Sequence, residues 1–178
     1  MVKCGNNISI FELLNETNPF KVIDFDSQYD CKADAKGRVM LPVALKNKLL
    51  PVLTDGFVIK RAINGACLEL WPMAEWKVEM TKIKALNRFV KKNNDFIRIF
   101  LSGVKEIEID STGRLLIPRN LFAVAGIKKE ITLSPAINIM EIWAKERYEE
   151  AVSMPDDEFA ALAEDVMGDN GKGVPDVS

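Results

Sequence analysis

Asp34-Ala35-Lys36-Gly37-Arg38-Val39-Met40-Leu41-Pro42 is answered later in the chain by Asp110-Ser111-Thr112-Gly113-Arg114-Leu115-Leu116-Ile117-Pro118. The two phrases lie 76 residues apart, keep Asp, Gly, Arg and Pro in place, and match an apolar triplet between Arg and Pro. Asp can accept bonds from turn amides, Gly permits positive φ, and Pro suits the first position of a helix. Each phrase therefore predicts a tight turn, a short strand and a helix start, with an Arg fixed just after the turn.

The likeness runs beyond the phrase. Leu68-Glu69-Leu70-Trp71 returns as Met140-Glu141-Ile142-Trp143 at an offset of 72, and Ala62-Ile63-Asn64 as Ala136-Ile137-Asn138 at an offset of 74. Two copies are too few for a solenoid, and a unit of roughly 50 residues is near the lower limit for a core of its own. One domain with a pseudo-two-fold axis is the economical solution.

Working outward, residues 1–22 match nothing in the second half and are punctuated by Asn6, Asn7, Asn15, Asn18 and Pro19, which predicts an extension that is disordered or loosely attached. Tyr29, Cys31 and Ala33 alternate with Asp30, Lys32 and Asp34, as a half-buried strand requires. Pro42 should open a helix that turns Leu45, Leu49 and Leu50 inward. A hairpin over residues 57–61 and 66–71 closes on Asn64-Gly65, and Pro72 opens a longer helix whose buried stripe is Trp76, Met80, Ile83, Leu86 and Val90. Residues 91–95 break the chain, a helical piece with Ile97, Phe100 and Leu101 ends at Gly103, and residues 105–110 form a strand. The pattern then restarts: a helix between Pro118 and Gly126, a hairpin over 130–133 and 138–143 turning at Ser134-Pro135, and a helix over 144–152. The expected divisions are an extension at 1–22, a first repeat at 23–92, a second at 93–152, and an acidic tail at 153–178. In that tail Phe159, Leu162 and Val166 sit among acids, as an amphipathic helix or a flexible arm would have them.

Composition narrows the function. The chain has 178 residues, 48% hydrophobic and 28% charged, an ordinary balance for a soluble domain. No apolar run approaches the roughly 20 residues that span a bilayer, and Asn6, Asn7 and Glu12 interrupt the N-terminal apolar stretch, so no membrane segment and a cytoplasmic location are expected. Cys4, Cys31 and Cys67 lack a metal spacing and read as reduced thiols. There is no histidine, which removes Ser-His-Asp and Cys-His catalysis and His-ligated zinc, and there is no Gly-rich phosphate loop. The net charge of −2 is unevenly spread: residues 149–178 hold nine acids and one Lys, a net −8, leaving 23 bases and 17 acids, a net +6, in residues 1–148. A basic body of that kind either binds phosphates or is simply well solvated.

Lys36 and Arg38 are candidates for phosphate and base-edge contact from a rigid turn, against a structural Arg paired with Asp34. Lys32, Lys46 and Lys48 either add phosphate contacts beside that turn or form a solvated face. Arg114 is a further candidate contact, but its turn carries Ser111 and Thr112 with no neighbouring Lys, which favours a structural or subunit-contact role. Asp34, Gly37, Asp110 and Gly113 are read as structural turn residues. Trp71, Trp76 and Trp143 suit core packing better than base stacking. A pseudo-two-fold axis would allow Asp34 and Asp110 to pair as an acid and base, but each lies beside an Arg in a position suited to capping, so no catalysis is expected. No metal, cofactor or small-molecule substrate is expected either.

Asp34 to Arg38, Leu70-Trp71-Pro72 with Trp76, Asp110 to Arg114, Ala125-Gly126-Ile127, Glu141-Ile142-Trp143, and Phe25 nine residues before Asp34 together resemble the MraZ family of bacterial transcription regulators. That family belongs with the AbrB and SpoVT-like swapped-hairpin barrels, and the likeness covers residues 25–150. It implies an α+β fold of two pseudo-symmetric swapped-hairpin half-barrels in one domain with flanking helices. It also implies a homo-oligomeric ring that binds double-stranded DNA at short direct repeats in the promoter of the division and cell-wall gene cluster, hence a place in the cytoplasm and nucleoid. By that resemblance the first turn, with Lys36 and Arg38, is the part that meets DNA. Lys46 stands where the family commonly has Arg, which keeps the charge and loses the bidentate fork. The other class of function left open is a non-enzymatic oligomeric scaffold that binds proteins.

Overall fold

A computed structural model describes residues 23–63 and 66–168 of the chain. The expectations for residues 1–22, for the Asn64-Gly65 turn and for residues 169–178 lie outside that range. The described residues form eight strands: β1 (Tyr29–Lys32), β2 (Arg38–Met40), β3 (Phe57–Arg61), β4 (Leu68–Pro72), β5 (Lys105–Ile107), β6 (Arg114–Leu116), β7 (Glu130–Ala136) and β8 (Ile139–Ala144). Helices α1 (Val43–Leu49), α2 (Met73–Lys84), α3 (Lys91–Phe100), α4 (Arg119–Val124), α5 (Lys145–Val152) and α6 (Asp156–Gly168) complete the order, with a 3-10 turn at Leu50–Asp55 after α1. The fold is mixed α and β, with antiparallel sheets. The described residues fall into two compact units that divide after Lys145.

The duplication in the sequence is a symmetry in the first unit. One sheet runs β1-β7-β8-β4-β3-β5, and β2 and β6 pair as a separate ribbon. At the centre of the large sheet Glu69 lies opposite Glu141, and at the centre of the ribbon Val39 lies opposite Leu115. Both are pairs of equivalent residues, so a pseudo-two-fold axis passes between them. The outer strands cross over: β1 of the first copy pairs with β7 of the second, and β5 of the second with β3 of the first. Neither copy completes its sheet without the other, as a unit too short for its own core requires.

The core lies where both copies contribute matched side chains: Val39 with Leu115, Leu45 with Leu121, and Leu70 with Ile142, all at most 2% exposed. On the opposite face of the first copy, α2 and α3 cover a smaller cluster. Trp76 stacks on Phe100 at 5.8 Å, Trp71 meets Trp76 edge-on at 5.9 Å, and Val58 and Ile83 fill in beneath. Trp71 and Trp76 are thus packing residues, and the indole N–H groups of Trp71 and Trp143 each donate to the Glu two residues before, at 2.9 Å.

Several local expectations shift. Pro42, Pro72 and Pro118 stand at the N-cap, one residue before their helices, rather than inside them. Leu50 is exposed, because the 3-10 turn rotates it off the α1 stripe. α2 stops at Lys84, leaving both Leu86 and Val90 outside its stripe, with Val90 exposed. Residues 91–95 are the first turn of α3 rather than a break; Lys91 bonds Asp95 one turn on at 2.7 Å. The second hairpin turns at Ile137, whose φ is 62°, and Asn138, not at Ser134-Pro135, which lie inside β7. In the second unit the acidic segment forms α6, with Phe159, Leu162 and Val166 exposed along it. No described helix is long and apolar enough to cross a membrane.

Candidate nucleic-acid interface

Each repeated phrase closes its turn in the same way. The Asp34 carboxylate accepts the backbone N–H groups of Lys36 and Arg38, both at 2.9 Å, while Gly37 N–H donates to the Asp34 carbonyl at 2.9 Å. In the second turn the Asp110 carboxylate accepts the N–H groups of Thr112 and Arg114 at 2.9 Å, and Gly113 N–H donates to the Asp110 carbonyl at 2.8 Å. Gly37 and Gly113 take φ of 82° and 86°, a region open to glycine at little cost. These bonds hold both carboxylates below the ordinary range: for Asp34 chiefly the Arg38 backbone N–H, for Asp110 chiefly the Thr112 hydroxyl. Each Asp is therefore occupied within its own turn, as a capping carboxylate is.

The ribbon that follows alternates strictly. Val39 and Leu115 are fully buried, while Arg38, Met40, Arg114 and Leu116 face out. Across the strands Arg38 lies opposite Leu116, and Met40 opposite Arg114, so two cations and two apolar side chains share one solvent-facing surface about the pseudo-axis. Arg38, Arg114, Met40, Lys32 and Lys129 line a shallow concavity of about 440 Å³ there. Lys129 and the exposed pair Met40 and Leu116 were missed in reading the sequence, although the one-in-two alternation in Arg-Val-Met and Arg-Leu-Leu places the latter two beside the arginines.

The two turns differ in how they hold their arginines. Arg38 donates through Nε to Asp34 at 2.6 Å, an ion pair open to solvent and of small net worth. Arg114 donates through Nε to the Thr112 hydroxyl at 3.1 Å and stands 3.7 Å from Asp110. An arginine fixed through Nε still offers its two Nη groups in a fixed plane. Lys36 is exposed and makes no ion pair among the described residues.

The other expected lysines scatter. Lys32 pairs with Glu130 at 3.4 Å, and Lys48 with Asp26 at 2.7 Å. Lys46 is placed not beside the first turn but against the second: its Nζ donates to the Ser111 carbonyl at 2.8 Å, and its Cδ stands where a side chain on Gly113 would go. The equivalent position in the second copy is Phe122, which lies behind Gly37 in the same manner. Each copy's helix thus supports the other copy's turn. Sequence periodicity gives no hint of this, because the contact depends on the crossover between copies.

Comparison with known proteins accords with this geometry. The family model for the MraZ protein matches residues 25–99 and again residues 100–170, one copy on each repeat. The chain is 58% identical over 149 residues to the Transcriptional regulator MraZ of Christiangramia forsetii, covering 84% of this chain and 96% of that one. It is 57% identical over 140 residues to the protein of the same name from Flavobacterium psychrophilum, with 79% and 89% covered, and 37% identical over 148 residues to that of Cytophaga hutchinsonii, with 83% and 97% covered. With the duplicated turn, the paired ribbon and the crossed strands all in place, the chain belongs to the MraZ family of transcriptional regulators.

Proposed function

We propose that the exposed face of the β2–β6 ribbon, with its two turns, is a sequence-specific contact surface for double-stranded DNA. The observation that carries the reading is the presence of Arg38 and Arg114 on one solvent-facing surface, related by the pseudo-axis and backed by a fully buried Val39–Leu115 pair. The major groove admits a two-stranded ribbon, Arg recognises the guanine edge through two parallel bonds, and apolar groups such as Met40 and Leu116 suit thymine methyls. Lys36 and Arg38 are the principal contacts, Lys32 and Arg114 flank them, and Lys46 serves by supporting the second turn. Asp34, Gly37, Asp110 and Gly113 set the backbone.

In this reading the crossed strands are those of a swapped-hairpin fold of the AbrB and SpoVT type. The protein is a ring-forming homo-oligomer whose subunits meet successive short direct repeats in the promoter of a division and cell-wall gene cluster, in the cytoplasm at the nucleoid. It acts without cofactor or catalysis. A single ribbon contact is weak, and linking several in one assembly raises the effective concentration of the later ones.

The test is selection of binding sites from a random duplex pool by the purified protein, with Arg38→Ala in parallel. Enrichment of a spaced direct repeat by the parent alone is expected. Enrichment of nothing by either protein at moderate salt would sink the reading and move an oligomeric protein-binding scaffold ahead of it.

A further inference from the structure

Beside α3 the first unit carries a groove of about 280 Å³ whose walls include Ile63, Phe96, Ile99 and Phe100. That is room for side chains rather than a few waters, each of which takes roughly 30 Å³ of liquid. Ile63 and Ile99 are 62% and 66% exposed, so the walls stand open. The charged residues of the lining are Lys60 and Arg61, and no acid joins them. Lys60 is already engaged, by Glu69 at 2.6 Å, by the Arg61 carbonyl at 2.8 Å and by the Phe100 ring at 4.7 Å, which leaves Arg61 as the cation at the rim.

Helix α6 has the complementary character. Phe159, Leu162 and Val166 follow one another at helical spacing and are 62%, 45% and 56% exposed. The remaining charged positions of α6 are Asp156, Asp157, Glu158, Glu164 and Asp165, five acids with no base.

We propose that α6 of one copy lies in this groove of a second copy, its apolar stripe between Ile63 and the α3 residues Phe96 and Ile99, and the acids Glu158 and Asp165, which border one side of that stripe, toward Arg61. This is recognition of an amphipathic helix by a groove. Groove and helix are different patches of the chain, so copies can be joined head-to-tail, an arrangement that closes into a ring when the rotation between successive copies permits and that a ladder of linked chains distinguishes from a reciprocal dimer. The inference rests on the reading of the protein as a homo-oligomer and names the contact that links its subunits.

The full-length chain carrying Cys4→Ser, Ile99→Cys and Leu162→Cys tests it, since the remaining Cys31 and Cys67 are buried. Mild oxidation followed by a non-reducing gel should give a ladder of covalently linked chains, absent from either single-cysteine variant. A fast-running monomer linked within itself, or no link at all, would overturn the proposal. Sedimentation of the unmodified chain separates the two readings: a monomer refutes the homo-oligomer itself, whereas an oligomer without the ladder refutes only this contact. Arg61→Glu should weaken self-association at least tenfold, with recovery on adding Asp165→Lys, since Asp165 borders the apolar stripe; failure to recover counts against the proposed charge pairing.

Discussion

At the scale of the residue, Gly37 and Gly113 occupy equivalent turns but have different surroundings. A Cβ on Gly37 would stand 2.8 Å from the backbone oxygen of Ile117, whose N–H is tied to the Gly37 carbonyl at 2.9 Å, whereas one on Gly113 would stand 2.9 Å from Cδ of Lys46, a flexible side chain. Both alanine variants carry the strain of positive φ, about 1–2 kcal/mol. Only Gly37→Ala adds a clash that no rotamer change relieves, so it should cost roughly 1–3 kcal/mol more than Gly113→Ala in equilibrium denaturation. Equal costs would mean that Lys46 is as fixed as backbone. The turn carboxylates add a pH dependence of definite sign. Because Asp34 and Asp110 are held below their unfolded values, near pH 3.9, their contribution is present above about pH 4 and is lost as pH falls through the lowered folded values. The variant Asp34→Asn/Asp110→Asn should therefore melt earlier than the parent at neutral pH and lose less on acidification, as thermal melts across the acid range would show. The thiols behave oppositely: burial raises Cys31 to about 11 and Cys67 to about 12, so both should resist alkylation at mildly alkaline pH until the chain unfolds.

At the scale of the element, the central strands β4 and β8 place Glu69 opposite Glu141, like charges at the pseudo-axis where duplication puts identical residues face to face. The first copy answers with Lys60, 1% exposed, bonded to Glu69, 13% exposed, while the equivalent position opposite Glu141 is Ser134. Lys60→Met should cost about 3–5 kcal/mol by leaving the largely buried Glu69 without its counter-ion, and adding Glu69→Gln should recover most of that, since the amide oxygen still accepts from Trp71. A double-mutant cycle in urea measures the coupling; additive losses would mean that the pair contributes nothing of its own. Legibility at this scale followed from how local the cause was. The turns, the ribbon alternation and the first hairpin were readable because Asp, Gly and the apolar period act over a few residues. The second hairpin was misplaced because Ser134-Pro135 is a turn signal by composition, yet the β7 and β8 pairing extends past it to Ile139, and the reversal falls at Ile137. The onset of α3 was hidden by a polar run whose helical bonds, Lys91 to Asp95 and Arg98 to Asp95, show only once the helix exists. Lys46 was assigned to the wrong turn because the crossover between copies leaves no periodic trace.

At the scale of the whole molecule, symmetry in the fold coexists with asymmetry in charge, and the two make opposing demands on the acidic C-terminal segment. The body carries a net +6 and residues 149–178 a net −8, so under the proposed function the acids would compete with DNA phosphate for basic surface. If those acids only screened, removing residues 154–178 would raise affinity for every DNA alike. If α6 also links one copy to the next, removal must lower affinity for a promoter-like array, because linkage of sites is worth about 10²–10⁴ in avidity. The two effects separate by substrate. The truncated chain should bind a random duplex more tightly than the parent and with a steeper salt dependence, each further phosphate neutralised adding about −0.9 to the log-log slope. On an array of direct repeats it should lose affinity and also lose sensitivity to repeat spacing, so that moving one repeat by half a helical turn, ruinous for the parent, changes little. Titration of both duplexes with both chains over a range of salt decides the matter. Affinity that rises equally on the two substrates would confine α6 to electrostatic screening and require another surface to join the subunits.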